Sequence, residues 1–462
     1  MSEILVKEYR GDVVENLHRG SIAIVASTGE TIAYVGDIEK QTFMRSASKP
    51  IQVLPTLLAG LHEKYNLTKE EVAILNSSHW GSTHHMYTLH DIAEKTGIDP
   101  EDMIMNPARS TSGSFLADKL SKGNRLHPET GKSKLQHCCS GKHFSLMLLQ
   151  RELTGKVSGY QEPSSPVQTQ ILSFISMLSQ TPTYKISLGT DGCGVPVFAL
   201  PMRSIALAYA KLADPFNLSK ELTDVIKYNF ECINEHPEKI NDFYTPSYYV
   251  NKNPDLLMKD GSRGVICMAI KSRKLGIVVK MEDGWSDEFQ GIIIANILEQ
   301  LKYEDTELIE ELKKVYKTKL YNDCLDEVGH SEVCFDLNID PAYFEDLEGT
   351  SDDDFYSDEN TADEYADNKN TDGKSDIKGF APVKTEPFIT DDKEERNRRS
   401  ILGQAVVLPP QGQNSIIMNP MVDTAGPVKS AKVISTVTEE QVNRPDNTDD
   451  IDDIDDADDL EL

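Results

Sequence analysis

The sequence predicts an α+β fold in which an antiparallel β-sheet packs with helices, followed by an acidic tail. Three observations predict it: strand pairs at both ends of the first 340 residues, helical patterns between them, and the loss of apolar periodicity beyond about Asp340. Residues 21–25 and Thr31–Val35 are β-rich runs around a Gly-containing turn at 27–30, which reads as a hairpin. A second hairpin is predicted from Val265–Ile270 and Leu275–Met281. Helical patterns follow Ser46, Thr68, Ser140, Pro166, Pro201, Leu222 and Glu288, and Thr68 has Glu71 three residues on, as a capping box requires. Strict βαβ alternation and internal repeats are both missing from the pattern.

The tail is set apart by composition. Residues 351–376 are rich in Asp, Glu, Ser, Asn and Thr, and the chain ends DNTDDIDDIDDADDLEL. Such a block cannot bury enough apolar surface to offset the entropy of ordering, so residues 339–462 are predicted to be a low-complexity, disordered tail behind a catalytic domain at 1–338. Apolar islands at 401–409 and 414–422 are candidates for docking a protein partner, although a solvated spacer is the commoner use of this composition.

The 462 residues carry 76 acidic against 47 basic side chains, a formal charge of -29 that repels nucleic acid and anionic membrane surfaces. The first residues interleave charges with apolar positions, unlike a secretory signal, and no apolar run reaches the roughly 20 residues of a membrane span. The reading is a cytoplasmic protein. Its seven cysteines suit reduced thiols or metal ligands better than a disulfide framework. Cys232, Cys267, Cys324 and Cys334 lie in apolar or mixed patterns and read as core or surface thiols.

Four stretches could carry chemistry. In Arg45-Ser46-Ala47-Ser48-Lys49-Pro50, a helix starting near Ser46 places that hydroxyl one turn from the Lys49 amine, as a nucleophile–base pair needs. Ser48 competes but does not share a helical face with Lys49. Such a lysine acts as base only when neutral, so burial or a second cation must lower its pKa. Asn76-Ser77-Ser78-His79 ends a buried run, where catalytic loops often sit, though it also reads as a helix cap. His79, His84, His85 and His90 match no strong zinc spacing.

The third stretch joins Cys138-Cys139-Ser140-Gly141-Lys142-His143 to Asp191-Gly192-Cys193-Gly194. Two thiolates from separate loops can hold zinc, and Lys142, one turn from Cys139, could add an amine. Spacing leaves open which of Cys138 and Cys139 faces the metal, and Cys139 as a nucleophile is an alternative. The fourth, Lys259-Asp260-Gly261-Ser262-Arg263-Gly264, is a polar turn leading into the late hairpin.

In this order, RSASKPIQ, SSH, CCSGKH, GTDGCGVP and the Lys259 turn resemble the L-asparaginase II family, whose fold is similar to that of serine β-lactamases and glutaminases. The resemblance covers roughly Ser2 to Leu337, including VVENLHRG at 13–20 and YNDCLDEVG at 321–329, and does not reach the tail. It implies hydrolysis of L-asparagine to L-aspartate and ammonia, with Ser46–Lys49 and Ser78–Lys259 as catalytic pairs. It also implies one zinc ion at Cys139, Lys142 and Cys193, and substrate contacts from Arg45, His79, His143, Asp191 and Gly192. Trp80-Gly81-Ser82 departs from the small polar residue and glutamate usual after SSH, and Lys280 is a second choice for Lys259. The rivals are a glutaminase or other serine amidase on the same scaffold, and a non-catalytic scaffold protein; a homodimer is one candidate assembly.

Overall fold

The computed structural model describes residues 1–121, 131–284, 288–315 and 318–349. The predicted tail beyond these residues, with both apolar islands, lies outside them. The described chain continues past the predicted boundary at 338/339, which falls within the short strand Asn338–Ile339, into the helix Ala342–Gly349.

Twelve strands are described: β1 (Glu3–Arg10), β2 (Val13–Ala26), β3 (Thr31–Val35), β4 (Gln41–Phe43), β5 (Ser187–Thr190), β6 (Pro196–Pro201), β7 (Leu256–Gly261), β8 (Val265–Ile270), β9 (Leu275–Met281), β10 (Lys319–Tyr321), β11 (Glu327–Val333) and β12 (Asn338–Ile339). The larger sheet runs β10-β11-β1-β2-β9-β8-β7, with β3 also on β2 and β12 on β3. The smaller is β4-β6-β5. Every pairing among them is antiparallel.

Side-chain alternation explains how both faces of the larger sheet are covered. Ile22 and Ile24 join one apolar cluster, while Ala23 and Val25 join the other, because successive strand residues point to opposite faces. On the first face, helix Gln290–Gln300 brings Ile293, Ile294 and Ile297 against Ile277 and Val279. On the second, helix Met202–Ala213 lies so close to β9 that a Cβ on Gly276 would stand 1.9 Å from the Ala206 carbonyl oxygen. Burying each such Ile or Leu contributes about 1.5–3 kcal/mol, which is why both faces carry near-continuous apolar runs in β8 and β9.

The mixed α+β class and both predicted hairpins are observed. The Thr68 capping box is formed, with Thr68 N donating to Glu71 Oε2 at 2.7 Å and Glu71 N to Thr68 Oγ1 at 3.2 Å. Two local expectations need correction. The helix expected from Ser46 is a 3-10 turn, Arg45–Ser48, followed by short helices Lys49–Gln52 and Leu54–Leu58, because Pro50 and Pro55 each lack the N–H that would continue the ladder. Lys259 belongs to β7 rather than to the turn; the chain reverses over 262–264, with Arg263 and Gly264 at φ 67° and 76°. β1 carries no clear apolar signal because charged Glu3, Lys7, Glu8 and Arg10 surround its buried Leu5 and Val6.

Candidate active site

The turn bearing Ser46 is held from several sides. Met44 N donates to Phe198 O at 2.9 Å, extending the β4–β6 pairing into the turn. Tyr209 donates its hydroxyl to Ala47 O at 2.6 Å, and Ser48 Oγ donates to Arg45 O at 2.7 Å. The end of β7 abuts it, since a Cβ on Gly261 would lie 2.8 Å from Met44 O. Arg45 adopts φ 51°, a left-handed conformation that a non-glycine residue keeps only when its surroundings over-determine it. Among the described residues the Ser46 hydroxyl has no hydrogen-bond partner. Lys49, 1% exposed, donates from Nζ to Ser77 O and, at 3.1 Å, to Ser78 Oγ.

Ser78 follows helix Lys69–Leu75, whose end is pinned by reciprocal amide bonds between Asn76 and Asn229 at 2.9 and 3.2 Å. The next residues pair with the segment at 240–241: Ser78 N donates to Ile240 O at 2.7 Å and Trp80 N to Asn241 O at 3.1 Å. Helix Ser140–Thr154 starts directly against this loop, and a Cβ on Gly141 would stand 2.0 Å from Ile74 O. The glycine of the CSGK stretch is thereby explained by close approach of two backbones. His79 fills the gap. Gly81 N donates to its Nδ1 at 3.1 Å, so Nε2 carries the proton and donates to Ser140 Oγ at 2.8 Å, and Ser140 passes its own proton to Leu135 O at 2.9 Å. Burial, with Lys49 nearby, pushes the imidazole down to about 3. His79 thus uses both ring nitrogens inside the protein.

Lys259 points from β7 into the same interior and is 1% exposed. Its Nζ donates to Asp260 O and Oδ1, each at 2.9 Å, and Asn241 Nδ2 donates to the same Oδ1 at 2.8 Å. Burial pushes the Lys259 amine down from its ordinary value; Asp260 opposes this and the Lys49 ammonium adds to it.

The sulfur-rich centre adjoins the Arg45 turn. Lys142 Nζ lies 3.0 Å from Cys193 Sγ and 3.8 Å from Asp191 Oδ2. Asp191 Oδ1 lies 2.9 Å from Arg45 Nε, and Gly192 is placed beside the guanidinium. The loop carrying Asp191 and Cys193 is a tight reversal between β5 and β6, closed by Asp191 N to Val195 O at 2.8 Å. Cys139 is the thiolate of the group: hydrogen bonds from Cys138 and then Cys193 hold it well below the usual thiol range, outweighing burial. Burial opposes charge on Lys142, but Cys193, Cys139 and Asp191 prevail and raise its pKa. Next to it, His143 bonds through Nδ1 to Tyr160 OH at 2.7 Å, while its buried Nε2 has no hydrogen-bond partner among the described residues.

This donor set fits a soft divalent cation: two buried sulfurs from different loops and one buried amine converge, and a bound metal would keep that amine deprotonated. The group His84, His85 and Asp242 fits less well. His85 accepts from Ser82 N at 3.1 Å and meets Glu238 O at 3.0 Å, so neither nitrogen is available.

The predicted pairs are therefore re-sorted. Lys49 is bonded to Ser78 rather than to Ser46, and Lys259 to Asp260 rather than to Ser78. Asp260, Asn241, Tyr209, Ser140 and Tyr160 were not anticipated. Asp260 and Ser140 lie inside the stretches quoted for Lys259 and Cys139; Asn241, Tyr209 and Tyr160 are single polar residues whose value depends on what they meet.

The described residues contain no helix long and apolar enough to cross a membrane. Among solved structures, the chain is similar to a β-lactamase from Mycobacterium bovis, at 12% identity over 61% of this chain and 94% of that one, with TM-score 0.30. It is also similar to a Bacillus glutaminase, at 12% identity over 62% of this chain and 92% of that one, with TM-score 0.30. No curated protein matches it. The family profile described as L-asparaginase II matches residues 6–333, most of the chain, and includes every site residue above. The chain belongs to the L-asparaginase II family, a family of amidohydrolases.

Proposed function

We propose that this chain hydrolyses the side-chain amide of L-asparagine, with Ser46 and Ser78 as the reacting hydroxyls and Lys49 and Lys259 as the amines that move their protons. The observation that carries this reading is the 3.1 Å contact from Lys49 Nζ to Ser78 Oγ in a buried setting that also holds Lys259. Lys49 follows Ser46 by three residues in the chain and bonds to Ser78, so its amine is the base in reach of the Ser78 hydroxyl.

The neutral lysine takes the serine proton as that oxygen bonds to the amide carbon. The carbon–nitrogen bond then breaks, and the lysine returns the proton to the departing nitrogen as ammonia leaves. Water, deprotonated by the same amine, attacks the ester, and aspartate leaves with the serine hydroxyl restored. Burial favours this chemistry at Lys259, where the nearby Lys49 charge also disfavours the ammonium. Arg45, opposite Asp191, is placed to bind the substrate's α-carboxylate, and Asp191 its α-ammonium.

Cys139, Cys193 and Lys142 would hold a zinc ion, which when bound ties their two loops together as a structural centre. Through Asp191 those loops also position Arg45. Residues 1–338 are the catalytic domain in this reading, with the tail dispensable for turnover.

Ammonia release from asparagine and from glutamine tests the reading. Turnover of asparagine is expected to exceed that of glutamine and to be lost in Ser46→Ala and in Ser78→Ala. Preferential glutamine turnover would make the chain a glutaminase, and full activity in both variants would remove the Ser-Lys mechanism.

A further inference from the structure

One residue joins the strand of Lys259 to the loop of Ser78. The carbonyl oxygen of Asn241 accepts from Trp80 N at 3.1 Å, beside the bond from Ser78 N to Ile240 O at 2.7 Å. Its side chain reaches β7, where Nδ2 donates to Asp260 Oδ1 at 2.8 Å. The other N–H of the amide donates to Ser247 Oγ at 3.0 Å. Ser247 Oγ lies 3.2 Å from Thr245 Oγ1, which gives its own proton to Asp242 O at 2.9 Å, so the Ser247 proton goes to Thr245. Turning the amide over would set its oxygen against the Asp260 carboxylate, which fixes the orientation. Asn241 is 7% exposed, and its Oδ1 has no hydrogen-bond partner among the described residues, so the side chain acts here as a donor.

The carboxylate it reaches is the one that serves Lys259. Asp260 Oδ1 accepts from Lys259 Nζ at 2.9 Å as well as from the Asn241 amide. Burial opposes charge on Asp260, but Lys259 and the Asn241 bond hold its carboxyl below the usual range. An oxygen that divides its charge between two donors supports an ammonium less than one facing that ammonium alone. The other titratable groups near Lys259 are Lys49, Cys139 at the start of helix Ser140–Thr154, and Cys267 opposite it on β8; Tyr209, from helix Met202–Ala213, acts on Asp260.

We propose that Asn241 is a positioning residue for the hydrolysis: by occupying Asp260 Oδ1 it weakens that carboxylate's hold on the Lys259 ammonium, while its backbone fastens the loop of Ser78 to the same point. The inference rests on the reading of Lys259 as a base and adds the residue that keeps it one. Asn241 touches no reacting atom; it acts through Asp260.

The pH profile of kcat/KM for ammonia release from asparagine by the full-length protein tests it. Asn241→Leu keeps the shape of the side chain and removes both donors. Its acidic limb is expected to move up by about one pH unit, so that kcat/KM falls about tenfold below the limb and returns toward the wild-type value above it. Added to Asp260→Asn, which leaves no carboxylate for the amide to occupy, Asn241→Leu should move the limb little. An unaltered profile, an equal loss at every pH, a downward shift, or the same upward shift in the Asp260→Asn background overturns the inference. Asn241→Ser, too small to crowd the site and too short to reach Asp260, gives the same upward shift if the leucine variant does not fold; failure of both to fold makes Asn241 a structural anchor and also overturns it. Wild-type turnover in Lys259→Met removes the reading of Lys259 as a base, and this inference with it. A limb lost in Lys259→Met but unmoved in Asn241→Leu removes this inference alone.

Discussion

Two buried lysines, Lys259 and Lys142, stand in neighbouring parts of one molecule and have their amine pKa values moved in opposite directions. Burial acts on both in the same direction, against the ammonium. Lys259 has one carboxylate partner, Asp260, and another cation nearby in Lys49, so burial prevails and the amine is pushed down. Lys142 faces Cys193, Cys139 and Asp191, and their combined negative charge raises it. The difference teaches that burial alone does not make a lysine a base; what decides is the charge of the atoms that replace water. It also separates their uses, since a depressed amine can take a proton from serine, whereas Lys142 gives up its own only to a metal.

The comparison is most exposed to a loss of turnover. Lys49→Met and Lys259→Met, which keep the buried volume, are each expected to lower kcat for ammonia release by about 10²–10⁴-fold. Near-normal turnover in Lys259→Met would leave its depressed pKa without a catalytic purpose. Circular dichroism on the same samples separates lost chemistry from lost fold.

His79 lies between the two regions, held down to about 3 by burial and by Lys49 while its Nε2–H holds Ser140 at the start of the Lys142 helix. Its folded-state pKa is below the ordinary 6.5, so below that pH the unfolded chain binds the extra proton and stability falls. The stabilisation is whole above about pH 6.5 and declines toward pH 3, by up to about 3 kcal/mol at pH 4. Urea unfolding at pH 7 and pH 4 should show a smaller acid-side loss in His79→Gln than in wild type; equal losses would place the acid sensitivity elsewhere.

Lys142→Met tests the other side. Zinc per chain is expected to fall, and KM for asparagine to rise about 10–100-fold with a smaller change in kcat, because the loop carrying Asp191 then loses its anchor. A collapse of kcat with KM unchanged would move Lys142 into the chemistry and erase the contrast.

Asp260→Asn sharpens it with the smallest effect. Removing the carboxylate that supports the Lys259 ammonium lowers that pKa further, so the neutral amine persists to lower pH. The acidic limb of kcat/KM is expected to move down by about one pH unit. A shift to higher pH would show that Lys259 acts in its charged form.

The two regions also differ in how legible they were. The CSGK and DGCG stretches announce the sulfur centre, because cysteines are few and a glycine beside them marks a tight approach, here Gly141 against Ile74 O. At the amine centre the residue types were legible but their pairing was not. One-turn spacing suggested Ser46 with Lys49, yet the 3-10 turn and the proline that follows it send the Lys49 amine across to Ser78. Lys259 was placed in a turn because KDGSRG is polar, whereas its pairing with Cys267 on β8 makes it a strand residue facing the interior.

Local chemistry in the chain was enough to determine the strand hairpins, the capped helix at Thr68, the acidic character of the end and the set of reactive side chains, since propensity, charge and motif act over a few residues. Tertiary structure decided which amine meets which hydroxyl, which ring nitrogens of His79 are bonded inside the protein, and that Lys142 meets Cys193 across two loops. Those outcomes depend on distances between residues far apart in the chain, 29 positions for Lys49 and Ser78 and 51 for Lys142 and Cys193. Only the packing of sheet and helices sets such distances.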